Sequence, residues 1–257
     1  MTPPDGSQFS GELHAYLINL DSAPERWKSV TDAFAGTQFQ IHRVSGINGH
    51  TLQLPIPEYS EGLYRLFHGR PTTLGHVGCY LSHVKAMEEF LASAETHALI
   101  GEDDLTLEPD FEAVIAAAMQ HTECWNILRL TGLSAGKPAV IRQLLGDYKL
   151  CIGFGRLKGT GAYLIDRKAA KALVKGLIPM RLPIDHAMDR EWFFGLRAAY
   201  VYPFPASQTE TGFKSSIQIG KSLKLPSLRR YVTTYPYQIV NELSRYLFRG
   251  WQYLRAS

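Results

Sequence analysis

The chain has 257 residues, 45% hydrophobic and 20% charged, ordinary globular values that suit one large α/β domain or a domain with an appendage. Its net charge of +3 is uneven: from Lys221 onward seven basic residues meet the single acid Glu242, so residues 1–220 are mildly acidic, which argues against a nucleic-acid enzyme with a basic active face. No run of about 18 apolar residues marks a membrane span, residues 1–12 lack a signal-peptide layout, and Cys79, Cys124 and Cys151 fit buried, reduced thiols of a cytoplasmic protein better than a disulfide scaffold or zinc site.

Residues 14–20 read as a buried first strand. Asp21, Pro24 and Glu25 then supply a cap, an early proline and a first-turn acid for a helix through Trp27, Val30 and Phe34, ending near Gly36. A second strand over 39–44 leads into the turn-rich residues 45–49, and 51–73, rich in proline and tyrosine, reads as an irregular inserted loop. The spacing predicts a helix over 74–91 with Val77, Leu81, Val84 and Leu91 on one face. A strand over 98–101 precedes Glu102, Asp103 and Asp104; a helix over 111–119 and a strand over 125–130 follow. Glycines alternate with short apolar pieces over 132–158, as in a β-hairpin, and after a strand over 161–165 Asp166 caps a helix over 167–177. Pro183, Ile184 and Asp185 open a helical segment through Trp192 and Phe194, and 200–203 is a late strand. This alternation predicts a mostly parallel sheet flanked by helices. Over 238–254, Val240, Leu243, Leu247, Trp251 and Leu254 share one helical face flanked by Arg245, Arg249 and Arg255. Such a basic amphipathic helix suits an anionic membrane surface, or else it docks on its own domain.

Glu102, Asp103 and Asp104 carry the most chemical information. Three adjacent charges do not fit a strand core, so they fall at the strand's carboxyl end, where open α/β sheets place their ligands. Clustered carboxylates repel unless a cation or a donor-rich ligand compensates them. Oxygen ligands of this kind suit Mg²⁺ or Mn²⁺, particularly when diphosphate oxygens share the metal. The other reading is a solvated acidic turn, since Glu108, Pro109 and Asp110 downstream look like a helix start.

Several motifs recur in a telling order. Tyr16-Leu17-Ile18-Asn19-Leu20-Asp21 precedes Pro24-Glu25-Arg26, and Gly75, Gly78, Cys79, Ser82 and His83 follow a G-x-x-G-C-x-x-S-H pattern. After the acid cluster, in which Gly101 replaces the usual aliphatic residue of L-E-D-D, come Gly159 to Ile165 with Ala169-Ala170, then Pro183-Ile184-Asp185, and more weakly Gln208 with Ser215-Ser216-Ile217. The ordered set resembles glycosyltransferase family 25, of the bacterial lipooligosaccharide galactosyltransferase type. The resemblance implies a GT-A-like (Rossmann-like) α/β domain over 12–220, and the basic amphipathic segment over 221–257 lies beyond it. It also implies a UDP-sugar donor, commonly UDP-galactose, a divalent metal, and inversion at the anomeric carbon.

In such a site Asn19, Asp21 and Arg26 would contact ribose, base or diphosphate, or Arg26 would pair with Glu25 or Asp21 on the helix surface, and residues 45–49 would form a wall for the base or a plain turn. Glu102 would face the ribose or support the metal, Asp104 would bind Mn²⁺ (or Mg²⁺), and Asp103 would ligate through water or point away. The metal would act as a Lewis acid toward the departing UDP. Asp185 is the expected base for the acceptor hydroxyl, or an N-cap; Asp189, on the same helical face, is second and His186 a weaker third metal ligand. Ser82 and His83 would reach donor or acceptor or else sit in the core, Gly78 and Cys79 would allow close packing, and Gly159 and Gly161 would let backbone approach the sugar. Ser215, Ser216 and Lys221 would close as a flap over the diphosphate, or form a polar linker. The expected activity is transfer of the sugar to a bacterial glycan or lipid-linked oligosaccharide at the inner membrane's cytoplasmic face. A non-catalytic nucleotide-sugar or glycan-binding relative and a metal-dependent phosphohydrolase are the alternatives.

Overall fold

The computed structural model describes residues 13–132, 137–208 and 227–256. The apolar run near the N-terminus forms β1 (His14–Asn19), which pairs in parallel with β2 (Gln40–Ser45) and β3 (His97–Glu102). The sheet continues through β8 (Ala162–Asp166), β5 (Ile127–Arg129), β9 (Ala198–Tyr202), β7 (Lys149–Gly153) and β6 (Pro138–Gln143), in the order β2-β1-β3-β8-β5-β9-β7-β6. Only β7 and β8 run against the rest, so the direction is mostly parallel, and β6 with β7 makes the hairpin expected within 132–158.

Side chains alternate across this sheet with period two, and both faces are covered. Tyr16, Ile100, Tyr163 and Ile165 face α3 (Leu74–Ala92) and α5 (Arg167–Leu177). Leu17, Leu99, Leu128 and Leu164 face α1 (Pro24–Ala33) and α4 (Phe111–Met119). Each such buried side chain contributes about 1.5–3 kcal/mol. Local chemistry sets two helix ends: Pro24 opens α1, though Ala23 stands at its cap position and Asp21, the expected cap, makes no capping bond, and Asp166 Oδ1 accepts from the Ala169 N–H at 2.6 Å to cap α5 as expected.

Three places depart from expectation. The inserted loop contains α2 (Glu61–His68), with Ser60 as cap and Gly69 at φ +76° as terminator. A short ribbon of β4 (Leu105–Leu107) and β10 (Ala206–Gln208) rises beside the acid cluster. The helix expected through Phe194 breaks into α6 (Ile184–Met188) and a 3₁₀ turn, Glu191–Phe194. Asp189 and Glu191 both bond to one arginine, Arg249, and two residues apart on a continuous helix they would not face the same partner.

That arginine belongs to the C-terminal pair of helices, α7 (Ser227–Val232) and α8 (Thr234–Ala256). Helix α8 docks through its polar side. Arg249 Nη2 donates to Asp189 Oδ1 at 2.7 Å and Glu191 Oε2 at 2.9 Å, its Nη1 donates to the Gly153 carbonyl at 2.6 Å, and Arg245 Nη2 pairs with Asp189 Oδ2 at 3.0 Å. Arg245 and Arg249 were expected to flank the apolar stripe; they are instead buried, and the stripe turns outward. Leu247 is 76% exposed, Leu254 78% and Trp251 47%. Among the described residues no helix is long and apolar enough to cross a membrane.

Candidate active site

The carboxyl ends of β1 and β3 lie side by side, with Ile18 opposite Glu102, and the Glu102 N–H donates to the Gly161 carbonyl at 2.8 Å just before β8. Asn19 and the acid cluster therefore meet at one edge of the sheet. Asn19 is buried there: its Nδ2 donates to Asp103 Oδ2 at 2.7 Å and to the Ala23 carbonyl at 3.0 Å, and its Oδ1 accepts from Arg43 Nη2 at 2.7 Å. Arg26 Nη2 pairs with Asp103 Oδ1 and, at 3.4 Å, with Asp104 Oδ2. Asp103 thus has both oxygens in use within the protein and does not present itself as a metal ligand. Asp21 turns aside to Arg43 at 3.1 Å and Ser45 Oγ at 2.8 Å, which joins the ends of β1 and β2 rather than facing the acids.

Glu102 and Asp104 share one donor. Gln208 Nε2 lies 3.5 Å from Glu102 Oε2 and 3.1 Å from Asp104 Oδ1. Burial, and next the charge of Glu102, push the Asp104 carboxyl up to about 6 against the partial relief from Gln208 and Arg26. Two carboxylates with incompletely met repulsion are chemically suited to a hard divalent cation, and Asp104 with Glu102 are the residues that would hold it. Gln208 reaches them because residue 161 is glycine: a Cβ there would stand 2.5 Å from Gln208 Cδ. Gly161 makes room for this side chain, a closer need than the approach of a sugar.

Helix α3 supplies the opposite wall. A Cβ at Gly78 would fall 2.4 Å from the Ile47 carbonyl, and one at Gly49 would fall 1.8 Å from the Leu74 carbonyl, so glycines on both sides let the 45–49 turn press against the helix. Ser82 Oγ donates to the Gly78 carbonyl at 2.7 Å and accepts from the Ile47 N–H at 2.8 Å, which stitches that turn in place and leaves the hydroxyl little capacity for a ligand. His83 is fully buried, with Nδ1 3.2 Å from the Tyr163 hydroxyl and Nε2 3.4 Å from Glu102 Oε1. Between these walls is a cavity of about 90 Å³ lined by Arg26, Gly49, Cys79, His83, Glu102 and Asp103, with room for a hydrated ion or part of a ligand.

Asp185 is half-buried at the start of α6, where its Oδ1 accepts from the His186 N–H at 2.9 Å. It acts electrostatically on His68, His76 and His186, whose pKa values burial lowers, that of His68 to about 4. Asp185 therefore sits among neutral imidazoles. Asp189, four residues on, does not join it, since its oxygens go to Arg245 and Arg249. The imidazole that meets the acid cluster is His83, while His186 packs edge-on against His68. Arg129 escaped the sequence reading because it sits inside a strand pattern. It is buried at the end of β5, stacks over Tyr163, donates through Nη1 to the Gly159 carbonyl at 2.8 Å, and has no partner for Nη2 among the described residues. Ser215, Ser216 and Lys221 lie outside the described residues.

The model of the family described as "Glycosyltransferase family 25 (LPS biosynthesis protein)" matches residues 12–188. A glycosyltransferase 25 family member of Aedes aegypti is 26% identical over 177 residues, 64% of this chain and 28% of that protein. Procollagen galactosyltransferase 1-A of Xenopus laevis is 26% identical over 204 residues, 71% of this chain and 31% of its own length. Inactive glycosyltransferase 25 family member 3 of Homo sapiens is 34% identical over 185 residues, 66% of this chain and 30% of its own. The chain thus spans less than a third of the length of these relatives. Among solved structures, a glycosyltransferase involved in the glycosylation of the major capsid of PBCV-1 aligns over 74% of this chain and 82% of its own, with a TM-score of 0.39 and 11% identity.

Proposed function

The chain belongs to glycosyltransferase family 25, and on that premise we propose that it transfers galactose from UDP-galactose, with inversion and a divalent cation, to a bacterial surface glycan such as lipooligosaccharide. The observation that carries this reading is the crowded pair Glu102 and Asp104, whose charge is only partly met by Gln208 and Arg26. A bound cation would stabilise the charge that builds on the departing diphosphate. Arg26 and Arg129, whose Nη2 has no partner among the described residues, donate to the donor's phosphate and hydroxyl oxygens, and Asn19 at the end of β1 holds Arg26 through Asp103.

Asp185 is the base. The acceptor oxygen bonds to the anomeric carbon, the bond to the UDP oxygen breaks on the opposite face, and the acceptor's proton passes to the Asp185 carboxylate. Its histidine neighbours, His68, His76 and His186, position the acceptor through their ring nitrogens. The outward apolar stripe of α8, with exposed Arg255 at its end and exposed Arg229 on the preceding α7, seats the protein on an anionic membrane surface, on the cytoplasmic side, near a lipid-linked acceptor.

One finding favours a non-catalytic alternative: the human relative at 34% identity is named inactive. Incubation with UDP-galactose, Mn²⁺ and lipooligosaccharide, read by mass spectrometry of the acceptor, separates the two. A gain of one hexose that disappears in Asp185→Asn supports transfer. Donor binding with no product from any glycan acceptor supports the alternative.

A further inference from the structure

We propose that Cys79, His83 and Glu102 form a binding site for a borderline-soft divalent cation of the zinc class, distinct in chemistry from the oxygen-only pair of Glu102 and Asp104. One thiol sulfur, one imidazole nitrogen and one carboxylate oxygen from these residues all lie within 4.8 Å of one another. A tetrahedral ion with bonds of about 2.0–2.3 Å holds its ligand atoms roughly 3.3–3.7 Å apart. His83 Nε2 and Glu102 Oε1 are already 3.4 Å apart, inside that range, and the Cys79 sulfur lies within 4.8 Å of its two partners' ligand atoms. A sulfur and an imidazole in the ligand set select zinc-like ions over Mg²⁺ or Mn²⁺.

The ligands are also oriented as metal ligands require. A metal-bound histidine usually has its second ring nitrogen fixed by an outer hydrogen bond. The His83 Nδ1 contact to the Tyr163 hydroxyl does this and turns Nε2 toward Glu102. The other Glu102 oxygen is within reach of Gln208. Cys79 and His83 are four residues apart on α3 and so share one side of the helix, and β3 brings Glu102 beneath them. All three line the 90 Å³ cavity, which leaves a fourth position for a water or a ligand oxygen, the pattern of an open rather than a closed zinc site. Binding releases the Cys79 thiol proton to solvent and leaves sulfur bound as thiolate. None of this depends on the transferase reading, so the two can fail separately.

The test is titration of the reduced full chain with Co²⁺ as a spectroscopic stand-in. A thiolate-to-cobalt charge-transfer absorption should saturate at one ion per chain and bleach when Zn²⁺ is added. Cys79→Ser should abolish it and Cys151→Ser should retain it. Tyr163→Phe should keep the band while weakening affinity by about 10–100-fold. No band, or a band that survives in Cys79→Ser, overturns the proposal. If Cys79→Ser does not fold, alkylation of the wild-type chain decides the same point: Zn²⁺ should protect Cys79, and equal labelling with and without Zn²⁺ overturns the site.

Discussion

Asp104 holds a charge that its surroundings disfavour. Its carboxyl moves from an ordinary 3.8 to about 6, first through burial and then through Glu102. Because the folded state favours the protonated form, folding takes up a proton between those two values, and stability falls as pH rises through that window. Asp104→Asn should therefore stabilise the metal-free protein at pH 7.5 by about 1–3 kcal/mol, an upper range because the side chain is 24% exposed. The gain in Tm should fade below about pH 4, where the native carboxyl is protonated in both states; a loss of stability at pH 7.5 would contradict this. The same variant should lose Mn²⁺-dependent transfer. Asp185→Asn should behave differently, keeping donor affinity while turnover drops by about 10²–10⁴-fold. A drop in donor affinity of the same size would move Asp185 from the acceptor side to the donor side.

At the scale of elements, α8 is docked by its charges and exposes its apolar face. Arg249→Met would leave Asp189 and Glu191 buried without their main partner, at a cost of about 3–5 kcal/mol, read as a lower Tm or denaturant midpoint. Leu247→Glu, on the outward stripe, should change stability by less than about 0.5 kcal/mol while weakening flotation with anionic vesicles. Unchanged flotation would remove the membrane from the account. The amphipathic pattern of 238–254 was legible, but a pattern says which residues share a face and not which face turns inward. That choice was made by Asp189 and Glu191, more than fifty residues away. Strands β1 and β3 and helices α3, α4 and α5 were readable because their apolar runs are long, and α5 also because its cap, Asp166, is local. Helix α2 was hidden by its proline-rich surroundings, and β4 with β10 are three-residue strands that carry no periodic signal. In the site, the edge position of the acid cluster followed from the strand. The separate fates of Asp103 and Asp104 did not, because adjacent side chains diverge and only the placement of Arg26 on α1 decides which one is neutralised. Cys79 read as a packing residue because its neighbours Glu102 and His83 converge only once α3 lies over β3.

At the scale of the whole molecule, the sheet gathers Asn19, Glu102 and Arg129 from the ends of β1, β3 and β5, while α3 closes one side with His83 and Cys79. The proposed acceptor base, Asp185, lies on α6, so the proposed donor and acceptor groups come from different elements. The proposed role of Glu102, which lines this cavity, and its neighbour Asp104 is to take the diphosphate of a nucleotide sugar through a divalent cation. Calorimetric titration of the protein with UDP-galactose, with and without Mn²⁺, tests it most directly. Binding should require Mn²⁺, weaken as pH falls below about 6 where Asp104 takes up a proton, and be lost in Asp104→Asn. Equal affinity without the metal, or undiminished metal-dependent binding in Asp104→Asn, would contradict it.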